Sequence, residues 1–353
     1  MLEKPDINKV FKSLMVALFL LLPDPRLETE AERTDNPFND KIVRCAIALN
    51  DDMYEKDGLE AGMNYELLKA FSIDNKCSVD IKVYTKKQNV LDSLAADKVD
   101  LVVIEKEKLR GSDKVFVTTG IANSTVWVTG NDKFNEVTRL NEWLFSYRQT
   151  DDFHQLEDLF LTSYNPARRA ESGRKYNRLS PYDKIIRQEA SRLGWDWKML
   201  VAVLWQESKF SINSRSHRGA MGLMQVMPKT GLYYDVTNLL DPYENMEAGT
   251  KHLNRVQRIF RKYNLTDQEL VKFTLAAYNA GEGRILDCMN LAEHEHKDKT
   301  RWDDIVSIIP LMNDVSALDS GIVRLGNFKG VETITYVDNI MSIYEDLCQI
   351  SRK

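Results

Sequence analysis

Two domains are predicted for this chain: an α/β domain in its first half and an all-α domain in its second. Three observations carry that prediction. Residues 41–130 alternate short apolar runs with amphipathic segments, the pattern of strands feeding helices. From Pro181 onward the apolar residues recur at three- and four-residue spacing, and no alternating run of strand length appears. With 353 residues there is chain enough for two separate cores. Charge is abundant but nearly balanced, and a net charge of −5 argues against a nucleic-acid binder, which shows a basic face.

The chain begins with Lys4, Lys9 and Lys12 ahead of an apolar run from Leu14 to Leu22, closed by Pro23-Asp24-Pro25. This is the basic region and short apolar core of a secretory signal, too short for a comfortable membrane span. No small-x-small cleavage site follows, and no cysteine stands directly after the run, so lipid anchoring is not supported. Residues 1–25 are therefore expected to be a signal peptide or an N-terminal anchor, with membrane association through this end left open. Residues 26–40 are acidic and polar and read as a spacer.

Order is expected from Lys41. Ile42–Leu49 reads as a strand, Gly62–Phe71 as an amphipathic helix and Val79–Tyr84 as an alternating strand. Val90–Ala96 is helical, Val99–Ile104 a buried strand, and Val115–Val117 and Thr125–Thr129 further strands. A mainly parallel sheet with helices on its faces follows from that alternation. A first domain of residues 41–162 is expected, with Leu140 through Tyr147 to Phe160 in its last part. Residues 163–180 are polar and Arg-rich, with Pro166 and Gly173, and read as a linker. Helices are then expected at Lys184–Leu193, at a segment capped by Asp196 and ending near Glu207, and at Asn245–Arg261, Asp267–Ala280 and Val331–Ile350 of a domain spanning 181–353.

The helix ending at Trp205-Gln206-Glu207-Ser208-Lys209-Phe210 carries the chemistry. Met199, Leu200, Val203 and Leu204 form an apolar stripe, and Glu207 continues it, seven residues after Leu200 and four after Val203. A carboxyl at the end of a core-facing stripe is desolvated, which favours its neutral form and suits a general acid near neutral pH. The bland alternative is a solvated carboxylate at a helix end. Ser208 has no His or Asp placed by motif to activate it and reads as a capping or back-bonding hydroxyl. His294-Glu295-His296 lies in a charged stretch without further ligands at metal spacing. The cysteines Cys45, Cys77, Cys288 and Cys348 fall two to each domain. In an exported protein that permits Cys45–Cys77 and Cys288–Cys348 bridges, with free buried thiols as the alternative.

Four motifs then occur in order: Glu207-Ser208-x-Phe210; Gly219-Ala220-x-Gly222-Leu223-Met224-Gln225-x-Met227-Pro228; Ala277-Tyr278-Asn279-Ala280-Gly281; and Glu332-Thr333-x-x-Tyr336-Val337. Together they resemble the catalytic domain of soluble-type lytic transglycosylases, goose-lysozyme-like enzymes that cleave bacterial peptidoglycan. The resemblance covers about Pro181 to the C-terminus and implies a lysozyme-like helical domain acting without metal or cofactor. It implies Glu207 as sole acid and base, Ser216 and Gln225 as hydrogen-bonding partners of the substrate, and Met227 against a sugar face. Tyr278 is expected to aim its hydroxyl at the acetamido group or at Glu207, with Asn279 beside it. Glu332 and Tyr336, four apart, are expected to border the cleft. Core roles for Met227 and Tyr278, and a plain exposed helix face for Glu332 and Tyr336, are the alternatives.

The first domain resembles lobe one of a family-3 extracellular solute-binding domain, the kind that precedes the catalytic domain in membrane-bound lytic transglycosylase F. Gly62-Met63-Asn64-Tyr65-Glu66-Leu67-Leu68 and Val99-Asp100-Leu101-Val102-Val103 carry that likeness. A second lobe has no room, since only Gly130–Thr138 separates the last strand from the closing helices, and Arg110 is the nearest candidate for a ligand-holding arginine. A one-lobed periplasmic-binding-protein-like module with a structural or partner-docking role is the expectation, its partner a muropeptide or a protein, and a working solute receptor is the alternative. The whole implies an exported enzyme of a bacterial envelope, periplasmic or outer-membrane-associated, cleaving between N-acetylmuramic acid and N-acetylglucosamine. Goose-type hydrolysis of the same bond, and a non-catalytic peptidoglycan-binding or sensing role, are its rivals.

Overall fold

The computed structural model describes residues 36–48, 55–84, 90–109, 114–121, 125–161, 170, 173–313 and 321–351. The N-terminal apolar run, most of the 26–40 spacer, Arg110 and much of the 163–180 stretch lie outside them.

The first half is a five-stranded sheet in the order β2-β1-β3-β5-β4, with β1 Ile42–Ala48, β2 Ser78–Val83, β3 Leu101–Glu105, β4 Val115–Val117 and β5 Thr125–Gly130. Strands β2, β1 and β3 are parallel, joined through helices α1 Glu55–Asp74 and α2 Val90–Ala95. Here the sequence expectation needs correction. β5 runs antiparallel to both β3 and β4, so the sheet is mixed rather than mainly parallel. The reason is the connection from β4 to β5: residues 118–124 are too few for the crossover that a parallel partner requires, so β5 returns antiparallel to β4 and enters between it and β3.

Alternation divides the sheet into two faces. Ala46, Val102, Ile104, Val126 and Val128 pack with Val90 and Leu94 of α2 on one face. Cys45, Ile47, Leu101, Val103 and Trp127 face α1 and the helices α3 Phe134–Tyr147 and α4 Asp151–Phe160 on the other. Trp127 is fully buried, so its indole N–H needs a partner, and it donates to Asn64 Oδ1 at 2.8 Å. Phe71 meets it edge-on and Trp143 stacks on it, with ring centroids 6.2 and 6.1 Å away. Arg44 grips Asp100 with Nε and Nη2 at 2.9 and 2.7 Å, tying β1 to the turn before β3.

The second half is helical: α5 Asp183–Leu193, α6 Trp197–Ser208, α7 Pro228–Tyr233, α8 Pro242–Phe260, α9 Asp267–Ala280, α10 Glu282–His294, α11 Trp302–Ile308 and α12 Val331–Ile350. The starts follow capping chemistry. Asp196 accepts from Lys198 N at 3.0 Å, and Asp241 from Tyr243 N and Glu244 N at 2.8 and 3.0 Å, ahead of Pro242 at the first helical position. Helix α6 is the centre: Met199 through Leu204 are all buried, as in a helix surrounded on every side. Helices α5 and α12 pack on it directly. Short helices α7, α10 and α11 were not anticipated; α10 begins directly beyond Gly281, where the periodic pattern of α9 obscures a second start.

All four cysteines carry free thiols, which corrects the bridges considered above. The register sets Cys45 opposite Ile81. That is four residues beyond Cys77, roughly 13 Å along the strand at ~3.3 Å per residue, where a disulfide requires Cα atoms within about 7 Å. Cys288 is buried inside α10, whereas Cys348 faces solvent.

The halves share one contiguous apolar core. Leu179 and Tyr182 are buried at the junction, and Phe160 of α4 meets Tyr182 edge-on at 5.9 Å. Polar contacts flank it: the Tyr65 hydroxyl donates to Asp241, the Tyr243 hydroxyl to Glu66 Oε1 at 3.3 Å, and Lys69 Nζ lies 4.0 Å from the Tyr243 ring centroid. Gly62 of α1 makes the approach possible, because a Cβ there would stand 2.7 Å from the Phe160 ring and 2.8 Å from the Tyr182 hydroxyl. Replacing glycine by alanine inside an open helix gains about 1 kcal/mol. At this site Gly62→Ala is expected instead to cost about 1–2 kcal/mol, since neither buried ring has room to withdraw. A lowered urea midpoint with an unchanged slope is the measurement that checks it.

Candidate active site

Glu207 occupies the last turn of α6, and the chain leaves that helix sharply. Lys209 and Phe210 both adopt left-handed backbone, with φ of 52° and 64°. The Ser208 hydroxyl turns back to donate to Leu204 O at 3.3 Å and is buried there. This exit leaves Glu207 partly exposed at the helix end while its neighbours sink into the core. Among the described residues one group holds the carboxyl: Tyr336 of α12 donates its hydroxyl to Glu207 Oε1 at 2.5 Å. Burial raises the Glu207 pKa to about 7, against a smaller opposing effect from the Tyr336 hydrogen bond. Burial, with the nearby Glu207 charge adding to it, pushes the Tyr336 phenol well above its ordinary range, so it remains a donor at physiological pH.

The loop that follows α6, residues 211–227, is shaped by its own backbone. Met221 and Val226 exchange hydrogen bonds at 3.0 and 2.9 Å, and Gly222 N donates to Ser214 O at 2.9 Å. Gly222, with φ of 73°, is required twice over: a Cβ would also lie 2.3 Å from Asn245 Nδ2 and from Leu239 O. Gln225 takes positive φ, 48°, and its Nε2 donates to Gly222 O at 2.9 Å and Ser214 O at 3.2 Å. Ser216 is exposed in the preceding turn, its Oγ accepting from Ala220 N at 3.0 Å. Met227 is 42% exposed at the loop's end, an uncovered apolar side chain beside the site.

Asn245 clamps the loop from α8. Fully buried, it donates Nδ2 to Met221 O and Leu239 O, both at 2.8 Å, and accepts from Met224 N at 2.8 Å. The sequence reading missed it. Its position one turn inside the Asp241-Pro242 helix start, with Gly249 beyond it lying against Met224, was the available signal.

Tyr278 of α9 donates to Met224 O at 2.7 Å rather than to Glu207, whose charge still acts on the phenol. The backbone carbonyl of the folded loop is the nearer acceptor, and Tyr336 takes the place at the carboxyl. Asn279 is exposed, and its Oδ1 accepts from the Thr333 hydroxyl at 2.8 Å, so it joins α9 to α12. Glu332 is exposed on the first turn of α12, one turn before Tyr336. Glu207 and Tyr336 are thus brought into direct contact, and Gln225 and Tyr278 meet on one loop. Ser216, Met227 and Glu332 are exposed, and none of them hydrogen-bonds the carboxyl among the described residues. The arrangement offers one carboxyl poised to give and take a proton near neutrality, and it offers no second carboxylate bonded to the first.

Known proteins resemble the chain over both halves. Membrane-bound lytic murein transglycosylase F of Desulfosudis oleivorans is 25% identical over 276 residues, covering 75% of this chain and 60% of that protein. The one from Marinobacter nauticus is 34% identical over 176 residues, 50% of this chain and 34% of the relative. The chain therefore spans less than two thirds of the length of either. A solved structure, lytic transglycosylase Slt from Pseudomonas aeruginosa, overlaps 63% of this chain and 34% of its own at 22% identity, with a TM-score of 0.36. Residues 184–301, the stretch that contains Glu207, the clamped loop, Asn245 and Tyr278, match the model of the Transglycosylase SLT domain.

Proposed function

We propose that the chain is a peptidoglycan lytic transglycosylase that cleaves the β-1,4 bond between N-acetylmuramic acid and N-acetylglucosamine, with Glu207 as its single acid and base. The observation that carries this reading is a buried carboxyl with a pKa raised to about 7, at a helix end and bonded by Tyr336, within the matched SLT stretch. Two-carboxylate glycosidases are the rule, and substrate-assisted enzymes the recognised exception. In the proposed sequence Glu207 gives its proton to the glycosidic oxygen as the bond to the muramic anomeric carbon breaks. The substrate's N-acetyl carbonyl oxygen attacks that carbon. Glu207, now a carboxylate, takes the proton of the same sugar's 6-hydroxyl, whose oxygen displaces the acetamido oxygen and closes the 1,6-anhydro ring. Atoms balance without water, and Glu207 ends protonated as it began.

Tyr336 orients the carboxyl so that its other oxygen, Oε2, is left for the glycosidic oxygen. Gln225, Ser216 and Met227 supply hydrogen bonds and an apolar surface for the sugars, with Asn279 and Glu332 at the border. For the first domain we infer a one-lobed, solute-binding-like module that docks a muropeptide or a protein partner; its parallel β2-β1-β3 core, followed by antiparallel β5 and β4, supports this. Export to the bacterial envelope accords with the relatives' description as membrane-bound. Among the described residues no helix is long and apolar enough to cross a membrane.

Mass analysis of products from peptidoglycan sacculi tests the reaction: fragments lighter by one water and ending in 1,6-anhydromuramic acid are expected, whereas reducing ends would make the chain a hydrolase. Glu207→Gln should retain glycan binding and lose cleavage by at least about a thousandfold, since the side chain can no longer give up a proton. The acid form must be present at the start, so kcat/KM should fall about tenfold per pH unit above about pH 7. Tyr336→Phe removes the hydrogen bond that opposes the rise in pKa, so its alkaline limb should move upward while kcat drops.

The same raised pKa affects stability with a definite sign. A carboxyl whose folded pKa lies above its unfolded value adds stability below the unfolded pKa and loses it as pH rises through about 7. Glu207→Gln should therefore melt higher than the parent at pH 8.5, by on the order of 2 kcal/mol, and match it near pH 4. Thermal melts at both pH values check this.

A further inference from the structure

We propose that Tyr65 and Asp241 are positioning residues for the Met221–Met227 loop, so that the first domain braces a surface of the second; this rests on the reading of Gln225 and Met227 as sugar contacts beside Glu207. The path is a series of hydrogen bonds. The Tyr65 hydroxyl of α1 donates to Asp241 Oδ2. Asp241 O accepts from Asn245 N at 2.9 Å, Asn245 Oδ1 from Met224 N at 2.8 Å, and Met224 O from the Tyr278 hydroxyl at 2.7 Å. Every residue in that series is buried or half-buried.

Asp241 divides its two carboxylate oxygens. Oδ1 caps α8, accepting from Tyr243 N and Glu244 N at 2.8 and 3.0 Å. A cap needs only one oxygen, which serine supplies as well as aspartate. Oδ2 is the oxygen that capping leaves over, and the first domain takes it. Burial, with the Asp241 charge adding to it, holds the Tyr65 phenol above its ordinary range, so it stays a donor. Helix α1 grips the same turn of α8 again: Glu66 Oε1 accepts from the Tyr243 hydroxyl at 3.3 Å, and Lys69 Nζ lies 4.0 Å from the Tyr243 ring centroid.

The turn before α8 also touches the loop. Leu239 O accepts from Asn245 Nδ2 at 2.8 Å, and a Cβ on Gly222 would stand 2.3 Å from that same oxygen. Residues 239–245 therefore border the loop on both sides of Asp241. A close-packed interior has no slack to absorb a shift there, and parting Asn245 from the loop would leave polar groups unpaired in a dry place. The loop accordingly follows the start of α8. It carries Gln225, bonded through Nε2 to Gly222 O, and ends at Met227. Glu207, by contrast, is bonded by Tyr336 of α12. The brace thus governs the binding surface and leaves the acid alone.

Two variants of the full chain test this. Tyr65→Phe keeps the ring and deletes the hydroxyl. Asp241→Ser keeps a capping oxygen and deletes the one that faces α1. Hydrogen exchange read by mass spectrometry should show protection of residues 221–226 lowered about tenfold in each, with residues 199–204 of α6 unchanged. On peptidoglycan, KM should rise about tenfold while kcat stays within about twofold and the alkaline limb stays near pH 7. The double variant should be no worse than the worse single one, because both changes remove the same bond. Parent-like protection of the loop, an equal loss across α6, a fall in kcat at unchanged KM, or additive losses each overturn the brace. Should Tyr65→Phe fail to fold, Asp241→Ser decides by the same readouts. If the parent protein cuts no peptidoglycan, the catalytic reading fails, while exchange still decides whether Tyr65 holds the loop.

Discussion

The hydrogen bond from Tyr336 to Glu207 is the contact on which the site depends, and it exists only because α6 is buried along its length. A helix with apolar residues on every side has no solvated face, so a carboxyl on its final turn begins among core side chains. The left-handed residues Lys209 and Phe210 end the helix there and turn the chain away. What remains is a carboxyl with too little water to ionise readily and one phenol to hold it. Desolvation raises the pKa, the phenol lowers it less, and the balance falls near 7. Those opposing effects set the chemistry: a drier site would raise the pKa further and give a weaker acid, a wetter one would lower it and give a weaker base.

Around that contact the molecule uses backbone rather than side chains to build a surface. The 211–227 loop turns on Gly222 and Gln225, and its polar backbone groups are met by Asn245, Tyr278 and the amide of Gln225 itself. A fully buried Asn with three well-formed hydrogen bonds specifies one loop conformation, because any slip leaves polar atoms unpaired in a dry interior. Helix α8 clamps the loop with its inner face through Asn245.

The first domain is joined to this by a continuous core and by a polar rim at the start of α8. Tyr65 bonds Asp241, the residue that caps α8, while Gly62 lets α1 lie against Phe160 and Tyr182. The helix that positions Asn245 thus begins at the junction between the halves.

Local patterns made most of the elements legible in the sequence. Period-two and period-3.6 apolar spacing marked β1, β2, β3 and the long helices, and Asp196 marked the start of α6, because these depend on neighbours within a few residues. Glu207 was legible as well, since its place on the α6 stripe follows from spacing alone. What the sequence could not determine were contacts between distant residues. The antiparallel entry of β5 depends on which edge of β3 is open. Which acceptor each phenol meets, Met224 O for Tyr278 and Glu207 for Tyr336, depends on distance in space. The cysteines were evenly shared between the halves, yet strand register and helix facing hold them apart. Spacing along the chain determined which residues share a face; only the tertiary structure decided what each face meets, because hydrogen-bond partners are selected by distance in space.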